Sequence, residues 1–78
     1  MSKLTLYYMP TCPYCRKVLN FLEDKDIEVE LKNINKNIEA KKELQNEGGK
    51  TQVPCLFIDG EPLYESDDIV QWFKDNIE

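Results

Sequence analysis

A small α/β layered domain, running β-α-β-α-β-β-α, is the fold class that this sequence predicts, and three observations predict it. Short apolar runs at residues 3–8, 27–31 and 55–58 have the length and patterning of strands. Between them lie segments with apolar residues at three- and four-residue spacing, such as Cys15, Val18, Leu19 and Leu22, which mark a helix with one core-facing stripe. An Asp59-Gly60 pair separates the last apolar run from Pro62-Leu63-Tyr64 and reads as a hairpin turn.

Each element follows from its residues. Residues 3–8 predict a first strand, with Leu4, Leu6 and Tyr8 on one face and Thr5 and Tyr7 on the other. Met9-Pro10-Thr11 lifts the chain onto a helix running from about Pro13 to Asp24, with Arg16, Lys17, Asn20 and Glu23 on its wet side and Tyr14 and Phe21 flanking its stripe. Asp24-Lys25-Asp26 is a turn, and Ile27-Glu28-Val29-Glu30-Leu31 alternates as a half-buried strand. Asn35-Lys36-Asn37 offers a cap for a weakly amphipathic helix over 38–46, ended by Gly48-Gly49. Thr51-Gln52-Val53-Pro54 leads into the strand Cys55-Leu56-Phe57-Ile58. After the hairpin comes a short edge strand, where Pro62 is tolerated because an edge does not need its missing N–H. Ser66 is placed as the cap of a last helix, with Asp67 and Asp68 in its first turn. Ile69, Val70, Phe73 and Ile77 form the buried stripe of that helix, beside Trp72. The first crossover predicts strands one and two parallel and right-handed, and the hairpin adds an antiparallel pair, so the sheet is mixed and four-stranded with flanking helices.

Bulk properties exclude several functions. The 78 residues, 41% hydrophobic, suit one compact core and a single domain over 1–78. Ten basic against fifteen acidic residues give a net charge of -5, which disfavours non-specific nucleic-acid binding. The sequence shows no signal peptide, membrane-spanning run or lipidation motif, so a cytoplasmic protein without membrane association is expected. A monomer is the expectation for an acidic chain this small. There is no histidine, which removes Cys-His protease chemistry and any imidazole base. Three cysteines are too few for a four-thiolate zinc site, and no metal is expected.

Thiol chemistry remains, and its place is Cys12-Pro13-Tyr14-Cys15, a Cys-x-x-Cys at a strand-to-helix junction. Cys12 falls at the N-cap and Pro13 at the first helical position, where its missing N–H costs nothing. A sulfur there can accept the free N–H groups of Tyr14 and Cys15 and feel the positive end of the helix dipole; both favour thiolate, the nucleophilic form. Cys15 belongs to the core stripe. The expectation is an exposed, attacking Cys12 and a sheltered, resolving Cys15. Cys55 reads either as a small buried side chain or as an auxiliary redox thiol near the site. Tyr14 reads as a surface aromatic or as a substrate contact.

On these residues the chain resembles a glutaredoxin, and so a thioredoxin-like fold, over nearly its whole length. Cys12-Pro13-Tyr14-Cys15 is the tetrapeptide of the dithiol members. Val53-Pro54 before a strand resembles the family's cis-proline loop, and Ser66-Asp67 at the head of the last helix resembles its site for the γ-glutamyl end of glutathione. Two features depart from the family. Met9 stands where many members have a lysine for the glycyl carboxylate, and Lys50 and Gln52 are the candidates for that missing contact. The segment Glu61 to Ser66 lacks the usual Gly-Gly pair and is similar instead to the amino-terminal domain of glutathione transferases.

The resemblance implies a glutathione-dependent thiol–disulfide oxidoreductase acting on protein disulfides and glutathione mixed disulfides, serving electron transport and cell redox homeostasis. Cys12 and Cys15 would be its catalytic, redox-active pair, alternating between dithiol and disulfide bond. Tyr14, Gln52, Val53, Pro54, Ser66 and Asp67 would bind glutathione, the co-substrate. Two other readings use the same residues: a dithiol donor recharged by a thioredoxin-reductase-type enzyme, and a scaffold for an iron–sulfur cluster bridged by Cys12 and glutathione. Pro13 argues against the second, because scaffolds of that kind usually lack it.

Overall fold

The structure is a computed structural model that describes residues 3–76, so Ile77 of the expected last stripe lies outside the described residues. Its elements are β1 (Leu4–Tyr8), α1 (Pro13–Glu23), β2 (Glu30–Asn33), α2 (Ile38–Gly48), β3 (Cys55–Ile58), β4 (Glu61–Tyr64) and α3 (Ser66–Asn76). The sheet order is β2-β1-β3-β4; β2 runs parallel to β1, and the β1–β3 and β3–β4 pairs are antiparallel. This is the predicted β-α-β-α-β-β-α order and the predicted mixed sheet.

The sheet separates two apolar layers. On one face Leu4, Leu6 and Leu56 pack with Val18 of α1 and with Ile69 and Phe73 of α3. On the other, Tyr7, Cys55 and Phe57 pack with Ile34 and with Ala40 and Leu44 of α2. Central β1 is therefore covered on both sides, and even Thr5 is buried. The thin α2 layer is closed by aromatic contact: the Tyr7 and Phe57 rings meet edge to face with centroids 5.2 Å apart. Ile38, at the start of α2, is 67% exposed, off the face that carries the buried Ala40 and Leu44.

Two expectations shift. The second strand begins at Glu30 rather than Ile27. In the observed register Thr5 faces Glu30, so pairing from Ile27 would need partners ahead of Leu4, where β1 starts. Ile27 and Val29 still pack against the core, from loop backbone. Their alternation reported burial and not hydrogen bonding. The last helix also begins one residue earlier relative to Ser66 than predicted. Ser66 is its first helical residue and Glu65 is the cap, its carbonyl accepting the Ile69 N–H at 3.0 Å. Glu65 reaches that position with φ 73°, a left-handed conformation that costs a side-chain-bearing residue about 1–2 kcal/mol. It turns β4 directly into α3 without the glycines absent from this segment. The hairpin turn fits its residues better: Asp59 and Gly60 have φ 52° and 92°, as a two-residue hairpin turn of the primed type requires.

Candidate active site

The site is built at the end of the sheet where β1 delivers the chain to α1. Cys12 has extended backbone (φ -86°, ψ 121°) at the N-cap and Pro13 opens the helix. The cap loop is closed by the Cys12 N–H bonding to the Met9 carbonyl at 3.1 Å and by the Arg16 N–H bonding to the Cys12 carbonyl at 3.0 Å. Cys12 is partly exposed, whereas Cys15, one turn on, is fully buried.

That difference in place gives the two sulfurs opposite chemistry. Partial burial works against ionisation of Cys12, but the Cys15 N–H, the Cys15 thiol and the Tyr14 N–H outweigh it, so its pKa lies below the ordinary value. The Cys12 side chain closes no capping hydrogen bond; the sulfur lies among these donors without capping any of them tightly. For Cys15 burial dominates and pushes the thiol up to about 12; the Met9 N–H, 3.5 Å from its Sγ, pulls the other way, and the Cys12 sulfur raises it further.

Other chain segments converge on the same end. Because Tyr7 lies opposite Cys55, the residues after β1 and those before β3 are neighbours, and this places the Val53-Pro54 bond, which is cis, beside the cysteine loop. Val53 and Met9 both pack on the edge of the α2-side core. Gln52 donates from Nε2 to Glu65 Oε1 at 3.2 Å, tying the proline loop to the β4–α3 corner. Asp67, in the first turn of α3, is ion-paired with Lys17 of α1, and this joins the head of α3 to the cysteine helix. Ser66 is buried beside it. Tyr14 is 66% exposed on the helix that carries the cysteines.

Four side chains that the sequence left open have definite places in the structure. Lys17, just after the motif, reads from sequence either as positive potential near Cys12 or as an ordinary surface charge; it meets Asp67, and the Cys15 and Tyr14 groups rather than Lys17 lower Cys12. Its only sequence signal was its nearness to the motif. Gln52, one candidate for the contact that Met9 cannot make, is turned to Glu65. Lys50 lies with its Nζ 4.5 Å from the centre of the Tyr64 ring. Cys55 belongs to the α2-side layer, across the sheet from α1; burial pushes it up to about 11, against the Tyr64 hydroxyl, which lowers it. This is the small buried side chain of the two readings.

Among the described residues no helix is long and apolar enough to cross a membrane. The sequence model of the glutathione S-transferase N-terminal domain family matches residues 6–78. The chain is 30% identical to glutaredoxin 3 of Escherichia coli over 69 residues, covering 88% of this chain and 83% of that protein. It is 32% identical to glutaredoxin 1 of Rickettsia prowazekii over 78 residues, covering 96% and 81%. Among solved structures it is similar to a thioredoxin-like protein, with TM-score 0.75 and 27% identity over 88% of this chain and 97% of that one. With a buried and a partly exposed cysteine on one helix turn, a cis proline beside them and these likenesses in sequence and fold, the chain belongs to the glutaredoxin family, in the thioredoxin fold that glutathione S-transferases share.

Proposed function

We propose that the protein is a glutathione-dependent oxidoreductase that reduces protein disulfides and glutathione mixed disulfides through Cys12 and Cys15. One observation carries the reading: the partly exposed sulfur at the helix cap is the more readily ionised one and the buried sulfur the reluctant one. Only the thiolate attacks a disulfide, so Cys12 attacks first. On a glutathionylated protein it displaces the protein thiolate and becomes disulfide-bonded to glutathione. A second glutathione thiolate then takes that glutathione as oxidised glutathione and returns Cys12.

A protein disulfide needs Cys15. Once the Cys12 sulfur is held in a mixed disulfide it carries no charge, and the repulsion that helps keep Cys15 protonated disappears. The Cys15 thiolate, its proton passing to the departing substrate thiolate, attacks Cys12 and leaves an intramolecular disulfide. Two glutathione molecules then supply the two electrons that reopen it. Held one helix turn away, Cys15 acts at an effective concentration that no thiol in solution matches.

Glutathione recognition is assigned to the neighbouring elements. Val53, beside the cis Pro54, would pair its backbone with the cysteinyl part like a short added strand, and Ser66 and the N–H groups of the first turn of α3 suit the γ-glutamyl carboxylate. Asp67 suits the ammonium, which would replace the Lys17 ammonium now paired with it. Tyr14 and Gln52 are assigned to the same glutathione site. The single domain would work in a reducing cytoplasm, in electron transport to thiols and in cell redox homeostasis. Both the match to the glutathione S-transferase N-terminal domain family and the named glutaredoxin relatives support glutathione over a flavoprotein reductase as donor.

The test compares Cys12→Ser and Cys15→Ser on a glutathionylated substrate and on a protein disulfide, with glutathione and glutathione reductase. Cys12→Ser is expected to lose both reactions. Cys15→Ser is expected to keep deglutathionylation and to stall as a mixed disulfide on the protein. Equal loss of both reactions in Cys15→Ser would make the dithiol obligatory and move the reductase-recharged reading ahead.

A further inference from the structure

We propose that the protein forms a reversible two-fold dimer in which β2 pairs antiparallel with β2 of a second copy, with the axis at Leu31. β2 is an edge strand. In a parallel ladder, alternate residues of a strand turn their N–H and C=O toward the neighbour. The Ile34 N–H bonds to the Tyr8 carbonyl at 3.0 Å, so Ile34, Lys32 and Glu30 face β1 while the Leu31 N–H and C=O and the Asn33 N–H turn outward, the Asn33 carbonyl accepting instead from the Asn37 N–H at 3.0 Å. Such an outward row is a template for another strand. An axis at Leu31 sets the Leu31 N–H and C=O of each copy against those of the other.

The side chains are self-complementary at that register. Glu30 of each copy falls opposite Lys32 of the other, giving two opposite-charge pairs on one face. Moving the axis one residue either way sets Glu30 against Glu30 or Lys32 against Lys32, which like-charge repulsion disfavours. On the opposite face Leu31, 51% exposed, meets its own copy. It edges a groove of about 380 Å³ whose apolar wall is Leu19, Leu22, Ile27 and Val29 and whose rim is Arg16, Asn20 and Glu23, and pairing takes Leu31 out of water. An edge lysine ordinarily discourages strand addition. Lys32 here lies along its own sheet, its Nζ 2.7 Å from Glu43 Oε1 and 5.7 Å from the centre of the Tyr7 ring, and with three N–H donors it would bridge Glu43 and Glu30 of the other copy on pairing. Strands of four residues make a small interface, so the dimer belongs to the weak, transient class.

Sedimentation velocity on the full chain in reductant, from micromolar to millimolar, tests this. The parent is expected to pass from monomer to dimer, and Leu31→Asp, Glu30→Lys and Lys32→Glu each to remain monomeric. An equimolar mixture of Glu30→Lys with Lys32→Glu is expected to regain the dimer, because each strand then carries one sign of charge. A parent monomeric at millimolar concentration, a dimer indifferent to Leu31→Asp, or a mixture that stays monomeric would each overturn the proposal. Should a variant fail to fold, amide exchange in the parent decides: the Leu31 and Asn33 N–H groups are expected to slow as concentration rises, and unchanged exchange overturns the pairing.

Discussion

Cys12 and Cys15 are the same residue type on one helix turn, and what separates them is where the helix begins. Capping position gives Cys12 unpaired N–H donors, and the core stripe gives Cys15 burial. Iodoacetamide at pH 6, read by mass spectrometry, is expected to label Cys12 well ahead of both Cys15 and Cys55, whose thiols are pushed up to about 12 and about 11. If Cys15 is labelled first, the attacking and resolving roles are reversed. Asp67 invites a second measurement. Its pair with Lys17 has side chains 55% and 78% exposed, so Asp67→Ala should change stability by less than about 1 kcal/mol. A charge-assisted bond from the glutathione ammonium is worth roughly 1.5–3 kcal/mol, so glutathione-dependent turnover should fall about tenfold or more. Unchanged turnover would leave Asp67 as a helix-terminus charge alone.

At the scale of elements, the α2 layer depends on one close approach. The Tyr64 hydroxyl of β4 donates to the Gly48 carbonyl at 3.0 Å, and a Cβ on Gly48 would come within 2.2 Å of that oxygen. Gly48 is therefore required by its neighbour, while the following Gly49 supplies the left-handed cap at φ 85°. Gly48→Ala is expected to destabilise by about 1–3 kcal/mol through overpacking. Adding Tyr64→Phe removes the clashing oxygen, since the next ring atom lies at 3.4 Å. The double variant should then melt above Gly48→Ala alone, and strictly additive losses in thermal unfolding would show that the contact is not the cause.

For the whole molecule the two buried thiols set a limit at alkaline pH. Cys15 and Cys55 are neutral in both states below the ordinary thiol value of about 8.5. Above it the unfolded chain ionises while the folded chain, with these thiols at about 12 and about 11, does not. The unfolded state is then favoured, so stability of the reduced protein falls as pH rises from about 8.5 toward 11. Cys12 has the opposite sign: its depressed value contributes stability above the ordinary range, lost as pH falls through the folded value. Denaturant titrations of the parent and Cys55→Ala across this range should show a shallower alkaline loss in the variant. Parallel curves would place the ionising groups elsewhere.

The sequence by itself determined the element order, the mixed sheet, the Cys12 cap and the core stripe through Cys15, because local period, turn chemistry and capping are properties of neighbouring residues. It did not determine where β2 starts. The alternation from Ile27 records which side chains are buried, whereas strand pairing depends on where β1 begins. Nor did it place the α3 cap: a glutamate at positive φ is adopted only because β4 must turn straight into α3. The meeting of Lys17 with Asp67, and of Gln52 with Glu65, joins residues far apart in the chain. Such pairings are fixed by how α1, α3 and the proline loop pack around one end of the sheet, and local sequence carries no record of that packing.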